Sequence, residues 1–552
     1  MHKHSQIAFQ NSQVIGHLIA TIGLVITAAG VQAETAANLE SSKEIPTDAR
    51  ISSVTIVRDN IFNLANSKED NALYRLINRL HIVTRQDTIE KQLLFAQGDQ
   101  YTQRLIDESE RILRGNKYLY DASITPTVNK AGNVDVRVWS RDIWTLTPEI
   151  TLSRSGGENK TAFGIEESNL LGRGQRLEAT WAKDVERSSV TFEFSDRQFM
   201  NSWVALDLLI ADNSDGHSRR LSVVKPFHAL DARHAGGLTA YDDDRRSTFY
   251  DLGDEAAEYR HQRKSLVAFG GFSHGLKNGW VRRWTYGAVY DDNHFLPVQE
   301  PTLPQVIPPD RKLVYPFAGF EILEDRFEKS ANSNQIDRVE DFFLGTRLAL
   351  TLGWSDTGFG ADRDALIYTL TANHSYGSMK RSALLLSGGL RGRDEGGTLA
   401  NATADMSARL YLRQSERLLF FTQVTGVLGH NLDEDQPVEI GGDTGLRGYP
   451  LRYQAGESSL IVSVEQRYFT NWYPFRLVRV GAAVFADAGR VWGPNELNSP
   501  NLGWLSDIGF GLRFAPTRLG TTKVFHLDIA FPLGGAEDID SVQVLFSAKR
   551  SF

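Results

Sequence analysis

The sequence predicts an all-β transmembrane barrel of about sixteen antiparallel strands, preceded by one small α/β domain. Three observations carry this reading. After Trp144, about 400 residues show almost no helical period and repeat short alternating segments between polar turns. The faces opposite the apolar ones are rich in Gly, Ala and charge, which suits a polar lumen better than a solvated sandwich surface. Aromatic residues gather at strand ends, as in RYFTNWYPF and VRRWTYGAVY, where the edges of a bilayer would lie.

The elements follow in chain order. Residues 1–33 read as an export signal: Lys3 opens it, VIGHLIATIGLVITAAG forms its apolar core, and Val31 and Ala33 supply the small residues of a cleavage site before Glu34. No later stretch approaches the ~20 apolar residues of a transmembrane helix. Residues 34–49 are a polar linker, and residues 50–143 have mixed α/β character. Within them ISSVTIV alternates as a strand, DTIEKQLL and YTQRLIDESERILRG have helical period, and FAQGD is the stop and restart between the two helices. YLYDASITP and VDVRVW alternate as strands around the turn KAGN. The predicted order is strand, helix, helix, strand, strand.

Residues 144–552 form the barrel, and a spacing of about 25 residues per strand and turn yields the strand estimate. KVFHLDIAFPL sets Phe525, Leu527, Ile529 and Phe531 against His526, Asp528 and Ala530. DIGFGLRFAP sets Ile508, Phe510, Leu512 and Phe514 against Asp507, Gly509, Gly511 and Arg513. The chain stops in mid-strand, with Val542, Val544, Phe546, Ala548 and the terminal Phe552 sharing one parity.

Composition narrows the chemistry. A hydrophobic fraction of 41% and a mean hydropathy of −0.31 fit a barrel in which every second strand residue meets lipid. With no cysteine, neither disulfides nor thiolate metal sites are available. A net charge of −8 argues against nucleic-acid partners. The stretch GFSHG (271–275) matches a nucleophile pattern around Ser273, but strand-like residues flank it where a helix should follow. The thirteen histidines form no metal-ligand spacing. No catalytic residue, metal or cofactor is expected.

IGGDTGLRGYP (440–450) places Arg447 between Gly445-Leu446 and Gly448-Tyr449. Downstream, SLIVSVEQRYF alternates so that Glu465 opposes Leu460, Val462 and Val464, and RVGAAVFADAGR puts Asp487 in parity with Gly481, Ala483 and Gly489. Both carboxylates therefore point into the lumen if the valines meet lipid. A confined arginine loses hydration and needs such partners.

With these residues in view, the sequence resembles the BamA and TamA superfamily of outer-membrane assembly and translocation proteins, which includes two-partner secretion transporters. FAQGDQYTQRLIDESERILRGNKYLYDASITP resembles a polypeptide-transport-associated (POTRA) domain, and FGIEESNLLGRGQRL an early barrel hairpin. LRGYPLRYQAGESSLIVSVEQRYF and VFADAGRVW resemble the family's late-barrel signature. The resemblance implies a loop folded back into the lumen, its tip Leu446-Arg447-Gly448-Tyr449 docked on Glu465 and Asp487. It also implies that Val544, Phe546 and Phe552 form a C-terminal assembly signal. The expected protein lies in the bacterial outer membrane with its POTRA domain in the periplasm. Its expected partners are unfolded polypeptide clients, membrane lipid, and periplasmic chaperones or accessory lipoproteins. Insertion would use the seam between the first strand (144–153) and the last (542–552), although residues 541–552 lack the glycine that kinks some family members. The alternatives are a two-partner secretion pore for a dedicated exoprotein, which usually carries two POTRA domains and a plug helix, and a porin or lipid-handling barrel.

Overall fold

The computed structural model describes residues 45–46, 48–520, 523–536 and 539–549, with the backbone alone for 149–152. The export signal, most of the linker, and Phe552 lie outside the described residues. An α/β unit comes first: β1 (Ile51–Asp59), α1 (Ala72–Leu80), α2 (Gln86–Glu90), α3 (Gln103–Arg114), β2 (Leu119–Val128) and β3 (Val134–Asp142). β3 lies between β1, its parallel partner, and β2, its antiparallel partner. Parallel strands need a long crossover, and the three helices supply it. Ile106 and Leu113 lie seven apart on α3 and pack with Ile51, Ile89, Leu119 and Val134 in one core. Helix α1 was not expected; the order is strand, three helices, then two strands.

The rest of the described chain closes into one antiparallel barrel, from strand Leu146–Ser155 to strand Gln543–Lys549. It has twenty strands rather than about sixteen. The sequence estimate spread the chain evenly. Several turns are instead tight, such as Gly156-Gly157, Leu252-Gly253 and Asn278-Gly279, each with positive φ. Longer loops such as 297–310 and 493–504, and two insertions, absorb the balance. One is the hairpin Phe327–Ala331 with Val339–Phe343; the other carries Val438–Ile440 paired with Gln454–Gly456.

The outer surface is apolar. Val484, Ile508, Phe510, Leu512, Leu527 and Val544 are exposed, while their neighbours Asp507, Arg513, His526 and Asp528 are buried. Such a surface is the lipid belt of a transmembrane barrel.

A barrel this wide leaves a lumen that strand side chains alone do not fill. The α/β unit lies across one mouth, here the near rim. Thr88 Oγ1 donates to the Gly172 carbonyl at 3.0 Å, Lys91 Nζ to Asn201 Oδ1 at 2.8 Å, and the Leu230 amide to Glu108 Oε1 at 2.8 Å. At the far rim the second insertion folds inward.

Candidate functional site: an arginine lock in the lumen

The tip of the far-rim insertion is a compact turn. The Leu446 amide donates to the Gly441 carbonyl at 3.0 Å and the Tyr449 amide to the Leu446 carbonyl at 3.0 Å. Gly445 has φ +125°, and a Cβ on Gly448 would stand 2.6 Å from Asp507 Cβ, so only glycine lets the backbone approach the wall there. Leu446 packs with Ile440, Ile461 and Leu505. The Tyr449 hydroxyl lies 2.9 Å from the Ser506 carbonyl and 2.8 Å from the Gly534 carbonyl. The tip thus anchors on the barrel wall from Arg447's own sides.

Arg447 is buried between strands Ser458–Phe469 and Val478–Trp492. Its Nε donates to Asp487 Oδ2 at 2.7 Å and its Nη2 to Asp487 Oδ1 at 2.8 Å, a bidentate fork. Nη1 donates to Glu465 Oε1 at 2.7 Å, and Nη2 also reaches Ser463 Oγ at 3.1 Å. The guanidinium carbon stands 3.4 Å from the centroid of the Phe485 ring, which covers its face. Loop residues Gly445, Leu446, Arg447, Gly448 and Tyr449 are therefore brought together with wall residues Glu465 and Asp487.

Sequence reasoning missed the second half of the arrangement. The other Glu465 oxygen accepts from Arg467 Nε at 2.7 Å, and Arg467 Nη1 donates to the Ser333 carbonyl at 3.0 Å. Ser333 sits at the tip of the near-rim hairpin, which Arg413 also grips through the Ala331 and Asn332 carbonyls at 2.9 and 3.1 Å. Glu465 thus joins a loop from the far rim to a hairpin from the near rim. Arg467 shares its parity with Glu465, and that was the available signal. Asp507, cross-strand from Asp487 and equally buried, was placed in the lumen by its parity but not assigned to the site.

The near-rim hairpin also reaches back to the α/β unit. Arg114 Nε and Nη2 donate to Asp341 at 2.8 and 2.6 Å, and Arg338 Nη2 donates to the Leu119 carbonyl at 3.2 Å. Lys329 pairs with Glu110, and the Arg111 guanidinium lies 3.7 Å from the Phe327 ring centroid.

Val544 and Phe546 face outward on the last strand, Phe546 stacking with Phe525 at 6.2 Å. The seam between last and first strands has one backbone pair among the described residues, Phe546 with Arg154. The first strand pairs with its other neighbour along its whole length, Leu146 to Ser155. Ser273 lies within strand Asp254–Lys277, its hydroxyl donating to the Arg282 carbonyl at 2.8 Å, so the turn-to-helix geometry of a nucleophile elbow is absent there.

No family model and no curated protein matches the sequence. The chain is similar in fold to CdiB and BamA. CdiB from Acinetobacter baumannii aligns over 97% of this chain and 98% of its own, at 11% identity and a TM-score of 0.42. CdiB from Escherichia coli aligns over 98% and 97%, at 13% identity and a TM-score of 0.38. BamA from Haemophilus ducreyi lacking POTRA domains 1–3 aligns over 90% and 84%, at 13% identity and a TM-score of 0.37. Likeness this loose carries nothing about what the chain does.

Proposed function

We propose that this chain is an outer-membrane barrel that inserts unfolded polypeptide clients at its seam, with the α/β unit acting as a periplasmic POTRA domain. The observation that carries the reading is the contrast between a doubly plugged lumen and a seam with a single described backbone pair. A filled lumen is a poor porin. Open strand edges are costly in lipid, so an under-paired seam favours pairing with an incoming strand.

The POTRA unit supplies the docking edge. Among the described residues β1 and β2 are the two edges of its sheet. Arg338, Arg114 and Glu110 hold the Leu119 and Ala122 carbonyls and the Ile124 amide on the outer side of β2, so β-augmentation by an extended client falls to β1. In this reading Arg447 is the lock, Glu465 and Asp487 are its seat, and Val544 and Phe546 belong to the strand presented at assembly. Chaperones or accessory lipoproteins would deliver the client. A second reading, export of a dedicated exoprotein through the lumen, is favoured by the width of twenty strands and by the fact that loops, not strands, fill the lumen.

The deciding experiment reconstitutes the full chain into vesicles and supplies an unfolded barrel protein. Protease-protected folding of that client supports seam insertion, and its passage to the vesicle interior supports export. Steady large conductance with neither outcome would sink both readings in favour of a porin.

A further inference from the structure

Helix α1 has three faces. The first is docked: Tyr74 is buried, its ring stacks on Phe62 at 4.0 Å, and its hydroxyl donates to the Phe475 carbonyl in a near-rim turn. Asn78 completes this face, its Oδ1 accepting from the Phe62 amide at 3.1 Å and its Nδ2 donating to the Phe62 carbonyl at 2.8 Å. The second face is unpartnered among the described residues. Leu73, Leu76 and Leu80 recur at i, i+3 and i+7 with 58%, 50% and 63% exposure, and Ile82 beyond the helix is 54% exposed. The third face carries Arg75 and Arg79, both exposed.

A helix in water buries such a leucine stripe. This one is continuous with the barrel's lipid belt. Phe475, whose carbonyl holds Tyr74, is 83% exposed, and its turn also exposes Trp472. That turn follows strand Ser458–Phe469, where Tyr468 faces outward. Aromatic side chains at a rim mark the bilayer boundary, and they lead from the barrel wall to α1.

We propose that α1 is an interfacial anchor. Its leucine face seats in the acyl-chain boundary of the adjacent phospholipid leaflet, and Arg75 and Arg79 meet anionic headgroups. The anchor fixes the α/β unit to the membrane beside the near rim. This inference rests on the reading of the barrel as membrane-spanning.

The chain has no cysteine, so single probes can be placed cleanly. Leu76→Cys, Leu80→Cys, Val484→Cys on the outer barrel wall and Lys130→Cys in the exposed β2–β3 turn would each carry an environment-sensitive fluorophore. The full chain is reconstituted in vesicles of phosphatidylethanolamine and phosphatidylglycerol with brominated acyl chains. The expected result is blue-shifted emission and quenching at 76 and 80 comparable to 484, with 130 unquenched. Replacing the phosphatidylglycerol with neutral lipid should reduce quenching at 76 and 80 alone; no reduction would overturn the headgroup contact. Quenching at 484 with 76 and 80 behaving like 130 overturns the anchor and leaves the barrel reading intact. No quenching at 484 overturns the barrel reading and the anchor with it. A blue shift at 76 that needs added unfolded polypeptide, without bromolipid quenching, overturns the anchor in favour of a client surface.

Discussion

Arg447 surrenders nearly all of its hydration, and two carboxylates and an aromatic face compensate. Arg447→Ala would leave Glu465 and Asp487 buried with a cation removed, at a cost of about 3–5 kcal/mol, read as a lower unfolding midpoint in detergent. The same variant should replace small fluctuating single-channel conductance with a larger and steadier one. Arg447→Lys keeps the charge but not the fork, and should fall between the two. A second residue gives the far-rim loop a pH response. Burial raises the Glu439 carboxyl to about 7; Arg452 opposes the shift, and Asp443 and Glu186 add to it. A carboxyl raised in the closed loop favours closure while it stays neutral, so closure weakens as pH climbs from its ordinary value of 4.5 through 7. Conductance should therefore rise between about pH 5 and about pH 8, and Glu439→Gln should flatten the profile. A wild-type profile that is already flat would refute this role.

Among elements, the near-rim hairpin matters most because it touches both the lock and the α/β unit. Burial alone would raise the Glu110 carboxyl, but hydrogen bonds from Lys329, the Ile124 amide and Arg114 outweigh it and hold the group below its ordinary range. Its contribution is present above the ordinary carboxylate pKa and fades as pH falls through the lowered one. Arg114→Ala strips Asp341 and Glu110 of a shared partner, with an expected cost of about 3 kcal/mol. Hydrogen exchange should show the effect as faster exchange across Phe327–Phe343. Unchanged exchange there would mean that the remaining contacts, those of Arg413, Arg467, Arg338 and Lys329, suffice to hold the hairpin. The sequence does not distinguish this hairpin from two barrel strands, since FEKSA and VEDFF are too short to show a period of their own. Alternation reports which face of a strand is buried, not which sheet the strand joins. Helix α1 is faint in the sequence for a related reason. Its leucine stripe is not part of the α/β core, and its cap is a single hydrogen bond from the Tyr74 amide to Asn71 Oδ1 at 2.9 Å.

At the scale of the whole molecule, the seam is the closure with the fewest backbone pairs among the described residues, and the near rim braces it. The Trp144 amide donates to the Arg518 carbonyl at 2.8 Å and the Gly520 amide to the Trp144 carbonyl at 2.9 Å. Arg518 in turn donates to the Ile61 carbonyl and to Glu69, each at 2.7 Å, which ties the brace to the α/β unit. Arg154 and Phe546 are backbone partners, so cysteines in their places stand within reach of a disulfide. The double variant should cross-link on oxidation, lose client insertion, and recover it on reduction. Insertion unaffected by the cross-link would rule out the seam.

The sequence by itself determined the local quantities: a barrel rather than a helical membrane protein, which residues face the lumen, and that Glu465 and Asp487 share a face with the polar interior. Each follows from a period-two pattern that burial imposes on one strand at a time. Only the tertiary structure decided the number of strands, the fate of the two insertions, and the meeting of Arg447 and Arg467 on one carboxylate. Those depend on closure, on the far-rim loop folding back onto the wall, and on docking between distant segments, as with Ser333 and Arg467. Such contacts are chosen by the fit of whole elements, and that fit leaves no period in the sequence.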